Sequence, residues 1–203
     1  MIDFYTYRTL NGQAVKITLE LMNAPYKTHV VDLLKGEQRR PEFLAINPSG
    51  RIPVIVDEVS GQRVKISQTG AILIYLAEQN KQLLPTEITL RAHVLQWMQF
   101  ILTDISTNVF NNFHLKALVS PKQPEAGEML KQRAINFCDE IESQLMKNKY
   151  IVGDELSLAD VVAYPAVAQL HKDLLNEKHP NIIRWFKQLS EQKPFSEGMK
   201  IEQ

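Results

Sequence analysis

The chain has 203 residues, 44% of them hydrophobic and 23% charged, a balance that suits a globular protein able to bury a real core. Lysine plus arginine equals aspartate plus glutamate at 23 each, so no net field recommends nucleic acid or an anionic membrane as partner. One cysteine, Cys138, excludes an intramolecular disulfide and a thiolate zinc cluster, and suits a reducing compartment.

The opening MIDFYTYRTL lacks a basic segment followed by an apolar core, and no uninterrupted apolar run reaches membrane-spanning length. A cytoplasmic location is therefore expected. Ile2 to Tyr7, rich in aromatic and β-branched residues, reads as a strand. Asn11-Gly12 opens a helical stretch with Ala14, Val15, Ile17, Thr18, Leu21 and Met22 at three-and-four spacing, and Ala24-Pro25 stops it. Lys27 to Asp32 reads as a second strand and Pro41 to Ile46 as a short helix or turn. Pro53 to Asp57 and Arg63 to Ile66 flank Ser60-Gly61-Gln62, a hairpin signal, and Gln68 to Glu78 is a helix. The order βαβ, α, ββα implies a mixed sheet covered by helices.

After Leu83-Leu84-Pro85 the pattern is helical alone. Thr89 to Leu118 carries a long apolar stripe from Leu90 to Ile105, and Glu125 to Lys147 carries another. Ser157 to Lys172 and Ile182 to Gln192 supply further helices. The expected division is an α/β domain over residues 1–80, a linker over 81–87 and an all-helical domain over 88–203.

Three segments then carry a resemblance over essentially the whole chain. Asn47 to Asp57 (NPSGRIPVIVD), Ser67 to Glu78 (SQTGAILIYLAE) and Val152 to Pro165 (VGDELSLADVVAYP) are similar, in order and separation, to motifs of cytosolic glutathione transferases. Thr9 to Leu21 (TLNGQAVKITLEL) and Leu33 to Pro48 (LLKGEQRRPEFLAINP) resemble the bacterial Nu class, of disulfide-bond oxidoreductase type, and the transferase-like domain of the yeast nitrogen-regulatory prion protein. The resemblance implies a thioredoxin-like N-terminal domain with a mixed four-stranded sheet and an all-α C-terminal domain. It also implies a homodimer, with glutathione as co-substrate and no metal.

Each motif has its own physical reading. Ser157 and Asp160 stand three apart at the head of an apolar helix, as a capping box does, so this motif is read as structure. Proline is tolerated at the first residue of a strand, which suffices for Pro53. The resemblance implies more: a cis Ile52-Pro53 bond, with the Ile52 backbone turned to pair with the cysteinyl part of glutathione. Gln68-Thr69 opens a helix whose free amides attract a carboxylate, while Gln68 could hold an amine.

A free thiol is only a few per cent ionised near neutrality, and a donor aimed at the sulfur favours the thiolate. Tyr5, Tyr7, Thr9 and Asn11 are the candidates. Tyr5 and Tyr7 share a strand face, where packing suffices, and the Thr-x-Asn-Gly resemblance points to Thr9 and Asn11, although Asn11 could simply cap its helix. The resemblance also suggests Gln38 and Arg51 for the glycine end of glutathione and Arg133 for the second substrate, beside the plainer readings of a solvated charged loop for the first two and an exposed helix charge for Arg133. None of the five histidines has ligand spacing, and Cys138 on an apolar face reads as packing.

The implied function is a glutathione-dependent transferase acting on an electrophile, peroxide or disulfide, a detoxification chemistry in which disulfide reduction and peroxidase work are favoured. Absence of a cysteine near residues 5 to 13 argues against classes that work through an enzyme mixed disulfide. Two other classes stand beside it. A non-catalytic regulatory module would not be retained on immobilised glutathione, and a ligandin-like carrier would bind apolar dyes without turnover.

Overall fold

The computed structural model describes residues 1–59, 61–174 and 177–201. It divides into two compact units, Met1–Gln82 with Glu191–Gln203, and Leu83–Ser190.

In the first unit the order is β1 (Ile2–Thr6), α1 (Leu10–Leu21), β2 (Tyr26–Val30), α2 (Pro41–Leu44), β3 (Val54–Val59), β4 (Gln62–Ser67) and α3 (Thr69–Asn80). The strands form one sheet in the order β2-β1-β3-β4, with β1 parallel to β2 and the other pairs antiparallel. This is the mixed four-stranded sheet expected. Of the hairpin turn, Ser60 lies outside the described residues, and Gly61 takes a φ of +77° before β4.

Strand alternation sorts the side chains. Ile2, Phe4 and Thr6 of β1 are buried, and Phe4 stands beside Ile55 of β3, with Ile72, Leu73 and Leu76 of α3 completing the buried set. On the opposite face Val31, Phe43 and Val54 form a smaller cluster with Tyr5, Ile46 and Ile52 packed on it. Tyr5 lies in this cluster, stacked on His29 at 4.6 Å, and His29 Nε2 meets Asp3 Oδ1 at 2.7 Å. The packing reading of Tyr5 is the one observed.

The second unit is helical: α4 (Ile88–Phe100), α5 (Thr107–Phe113), α6 (Pro124–Leu145), α7 (Leu158–Gln169), α8 (His171–Leu174) and α9 (Pro180–Ser190). The expected helix from Thr89 to Leu118 is one run that widens to π-helical turns at Ile101–Ser106 and His114–Leu118. Val94, Met98, Ile101 and Ile105 form its buried stripe, while Leu90 is exposed. The capping box of α7 is present. Asp160 Oδ2 accepts from the Ser157 amide and hydroxyl, both at 3.1 Å, and Asp160 Oδ1 accepts from Ile151 N at 3.0 Å and Trp185 Nε1 at 2.9 Å. Asp160 is thus a buried joint between α7, α9 and the loop at Ile151.

The division differs from expectation at the C-terminal end. A further helix, α10 (Lys193–Gly198), follows Gln192 and packs with the first unit on α1. Its reason is a glycine: a Cβ at Gly198 would sit 2.7 Å from Ile17 Cα, so only glycine lets the two backbones approach so closely. Among the described residues no helix is long and apolar enough to cross a membrane.

Candidate functional site

Where β1 ends, the backbone turns into α1 through Tyr7-Arg8-Thr9. Thr9 is the N-cap: it is extended, at φ −132° and ψ 155°, and its Oγ1 accepts from Gly12 N at 3.1 Å. The cap therefore belongs to Thr9 and leaves the Asn11 side chain uncommitted. The Thr9 hydroxyl proton reaches Tyr7 O only at a long 3.4 Å. Gly12 is required here, because a Cβ would lie 2.3 Å from Thr6 Oγ1 and 2.7 Å from Tyr7 O. The first turn of α1 thus sits hard against the end of β1.

The loop before β3 is tied by Asn47, whose Nδ2 donates to Arg51 O at 2.7 Å while Oδ1 accepts from Ser49 N and Ser49 Oγ. Gly50 closes the turn at φ +60°, with no room for a Cβ beside Gln38 O and Arg39 Nη1. The Ile52-Pro53 peptide is cis, as the resemblance implied. At the head of α3, Gln68 is held at φ +73° and ψ 120°, a region that a residue with a Cβ rarely adopts. Its side chain does not cap the helix, so the first-turn amides of α3 are left for another partner.

These pieces meet. Asn11, Asn47, Arg51, Ile52, Pro53, Gln68 and Thr69 line one concavity of about 100 Å³. The lining carries one guanidinium, the positive end of a helix and no carboxylate, a set that favours an anionic ligand with amide character. Asn11 Oδ1 is buried without a partner, and Asn11 Nδ2 makes none of the hydrogen bonds found among the described residues. The half-buried Asn11 amide is thus open to a ligand in the concavity.

Two models match the chain: the N-terminal domain of glutathione S-transferase over residues 11–79 and the C-terminal domain over residues 93–193. The disulfide-bond oxidoreductase YfcG of Escherichia coli is 30% identical over 193 residues, covering 93% of this chain and 90% of that protein. Glutathione S-transferase F10 of Arabidopsis thaliana is 32% identical over 209 residues, covering 97% and 95%. The chain belongs to the glutathione S-transferase family.

A solved glutathione transferase from Burkholderia graminis, with two glutathione molecules bound per subunit, superposes on this glutathione S-transferase with a TM-score of 0.89. The two are 26% identical, and the match covers 98% of this chain and 87% of that one. The thioredoxin-like sheet domain and the helical domain are those of the family.

Of the residues singled out from sequence, Asn11, Arg51, Ile52, Pro53, Gln68 and Thr69 are brought together in the concavity. Thr9 stands two residues before it as the cap of α1 and is not part of the lining. Gln38, in a single 3₁₀ turn at Glu37–Arg39, packs its carbonyl on Gly50, and its Oε1 is buried without a partner. Arg133 belongs to the second unit, exposed on α6 with its guanidinium 5.4 Å over the Phe137 ring. Asn47 was missed as a lining residue. Its signal was an asparagine opening an Asn-Pro-Ser-Gly turn, where that side chain closes the backbone on itself. Cys138 lies elsewhere, fully buried on α6, where burial pushes its thiol up to about 12.

Proposed function

We propose that this glutathione S-transferase binds glutathione in the concavity at Asn11, Ile52 and Thr69 and holds it as the thiolate. The convergence of Asn11, Arg51, Ile52, Pro53, Gln68 and Thr69 on one carboxylate-free concavity carries the reading. In this assignment the γ-glutamyl carboxylate takes the first-turn amides and hydroxyl of Thr69, with Gln68 beside the amine. The Ile52 backbone pairs with the cysteinyl unit. Arg51 and Gln38 serve the glycine carboxylate. Asn11 Nδ2 donates to the sulfur, a bond to the charged form that lowers the thiol pKa, while Thr9, outside the lining, caps the helix that carries Asn11.

The favoured reaction is reduction of a low-molecular-mass disulfide. One glutathione thiolate attacks a disulfide sulfur, forming a mixed disulfide and releasing one substrate thiolate. A second glutathione thiolate attacks that mixed disulfide, forming glutathione disulfide and releasing the other thiolate. Two electrons pass from two glutathiones to the substrate, and no cysteine of the protein takes part. Kinship to YfcG supports this choice over a peroxide or a carbon electrophile. Arg133 is assigned to the second substrate. A cytoplasmic homodimer is part of the same reading, supported by the family and by Phe110 and Phe113, each more than half exposed on α5.

Calorimetric titration with glutathione, followed by steady-state turnover on a dialkyl disulfide, a peroxide and a carbon electrophile, tests the reading. Saturable binding with disulfide reduction as the highest kcat/KM is expected. Absence of glutathione binding would move the protein to the non-catalytic class.

A further inference from the structure

The segment Gly198–Ile201 lies on the first two turns of α1. Gln13 is buried, and its Nε2 donates to Met199 O at 3.1 Å. Lys16 Nζ donates to Lys200 O. Gly198 sits against the backbone of Ile17, and Ile201, also buried, brings its Cδ1 within 3.2 Å of where a Cβ on Gly12 would stand. Gly12, Gln13, Lys16 and Ile17 form one continuous face of the helix.

Asn11 is the residue immediately before that face. The turn that carries it is closed in on two sides: Thr6 Oγ1 and Tyr7 O from β1, and Ile201 Cδ1 from the C-terminal segment, leave no room for a Cβ on Gly12. Asn11 is one peptide bond from this crowded position, so the packing around Gly12 bears on the place of Asn11 through the backbone.

The chemistry of the contact is informative. Gln13 Oε1 is buried with no partner, which weakens the fold relative to an apolar side chain of the same size. An apolar residue would hold the segment down but would not fix its direction along α1. A hydrogen bond from Gln13 to one particular carbonyl does fix it.

We propose that Gln13 and the segment Gly198–Ile201 are positioning residues for thiolate formation, a strap that keeps Asn11 in hydrogen-bonding register with the glutathione sulfur. The inference rests on the assignment of the concavity to glutathione. Its physical basis is the steep dependence of a hydrogen bond on distance and angle: a displacement of about an ångström at a reacting group can cost roughly a hundredfold in rate.

The test is the pH dependence of kcat/KM for the disulfide, with glutathione saturating so that its bound thiol is the group titrated, measured for wild type, Gln13→Met and Ile201→Ala. Gln13→Met keeps the volume and loses the bond, and Ile201→Ala is a milder change at the end of the segment. Val162→Ala, a core truncation in α7, serves as a control for lost stability alone. The strap predicts that the acid limb moves up by about one pH unit in Gln13→Met and Ile201→Ala, so turnover below it falls about tenfold and converges on wild type at alkaline pH. Val162→Ala lowers the melting temperature and leaves the limb in place. The strap is overturned if Gln13→Met and Ile201→Ala melt lower yet keep the wild-type limb, for then the contact is only structural. A wild-type protein that binds no glutathione overturns the site assignment itself and the strap with it, a result that calorimetry on wild type alone separates from the first.

Discussion

Thr9 Oγ1 accepts the Gly12 amide at 3.1 Å, and that bond starts α1 two residues before the concavity begins. Thr9 and Asn11 therefore have separable effects. Thr9→Ala removes a cap worth about 1 kcal/mol, lowering the melting temperature by roughly 2–4 °C. Asn11→Ala leaves the cap intact and acts on glutathione turnover more than on stability. Paired melting curves and kcat/KM values check this, and a larger loss of turnover in Thr9→Ala would return the activating role to the hydroxyl.

Gln68 is held at φ +73° and ψ 120°, a conformation in which a Cβ adds strain that glycine lacks. Gln68→Gly is expected to stabilise the fold by up to about 1 kcal/mol while weakening glutathione binding, because the side chain assigned to the amine is lost. Denaturant titration and calorimetry on the same variant measure both directions. A loss of stability on Gln68→Gly would contradict the account of the strained backbone.

Asp160 takes four hydrogen bonds in the second unit, among them Ile151 N and Trp185 Nε1. Asp160→Ala strands four buried donors, Ile151 N, Trp185 Nε1, Ser157 N and Ser157 Oγ, at about 1–3 kcal/mol for each that finds no other partner, so a loss of at least about 2 kcal/mol is expected. Trp185→Phe, which removes one donor and leaves the carboxylate three, should cost less. Chemical denaturation orders the two variants.

Tyr75 donates its hydroxyl to Asp57 Oδ2 at 2.8 Å, and burial first, then this bond, raise its pKa to about 12. The neutral phenol is thus favoured in the folded state. Its contribution to stability is complete below the unfolded value of about 10 and is lost as pH rises through the interval up to about 12. Tyr75→Phe removes that contribution below the alkaline interval and so flattens the alkaline limb of stability, which a melting-temperature series across the alkaline range records.

Cys138 is the only cysteine, fully buried, with its thiol pushed up to about 12. In the native protein it should resist thiol reagents near neutrality, and Cys138→Ala should retain glutathione-dependent activity. Labelling kinetics with and without denaturant, alongside activity, test that the reacting sulfur belongs to glutathione.

Much of the fold was legible because its signals are local. The strand alternation at Phe4, the apolar stripe from Val94 to Ile105 and the Ser157–Asp160 pair each state their structure within a few residues. The concavity was legible for a different reason: the motifs at residues 47 to 57 and 67 to 78 carry it nearly whole. Thr9 and Asn11 could not be ranked from sequence, since both are capping residue types two positions apart. α10 escaped notice because it is short, and its place depends on how close Gly198 comes to Ile17, a tertiary fact with no periodic trace. The widening of the long helix at Ile101–Ser106 leaves the apolar stripe intact and so left no mark on the pattern.

The most direct measurement is the ultraviolet thiolate absorbance of protein-bound glutathione, titrated against pH in wild type and Asn11→Ala. The account predicts a bound thiol in wild type ionising well below the free value of about 8.5, and an upward shift of about one unit in Asn11→Ala. The same titration curve in both proteins, centred on the free value, would contradict it.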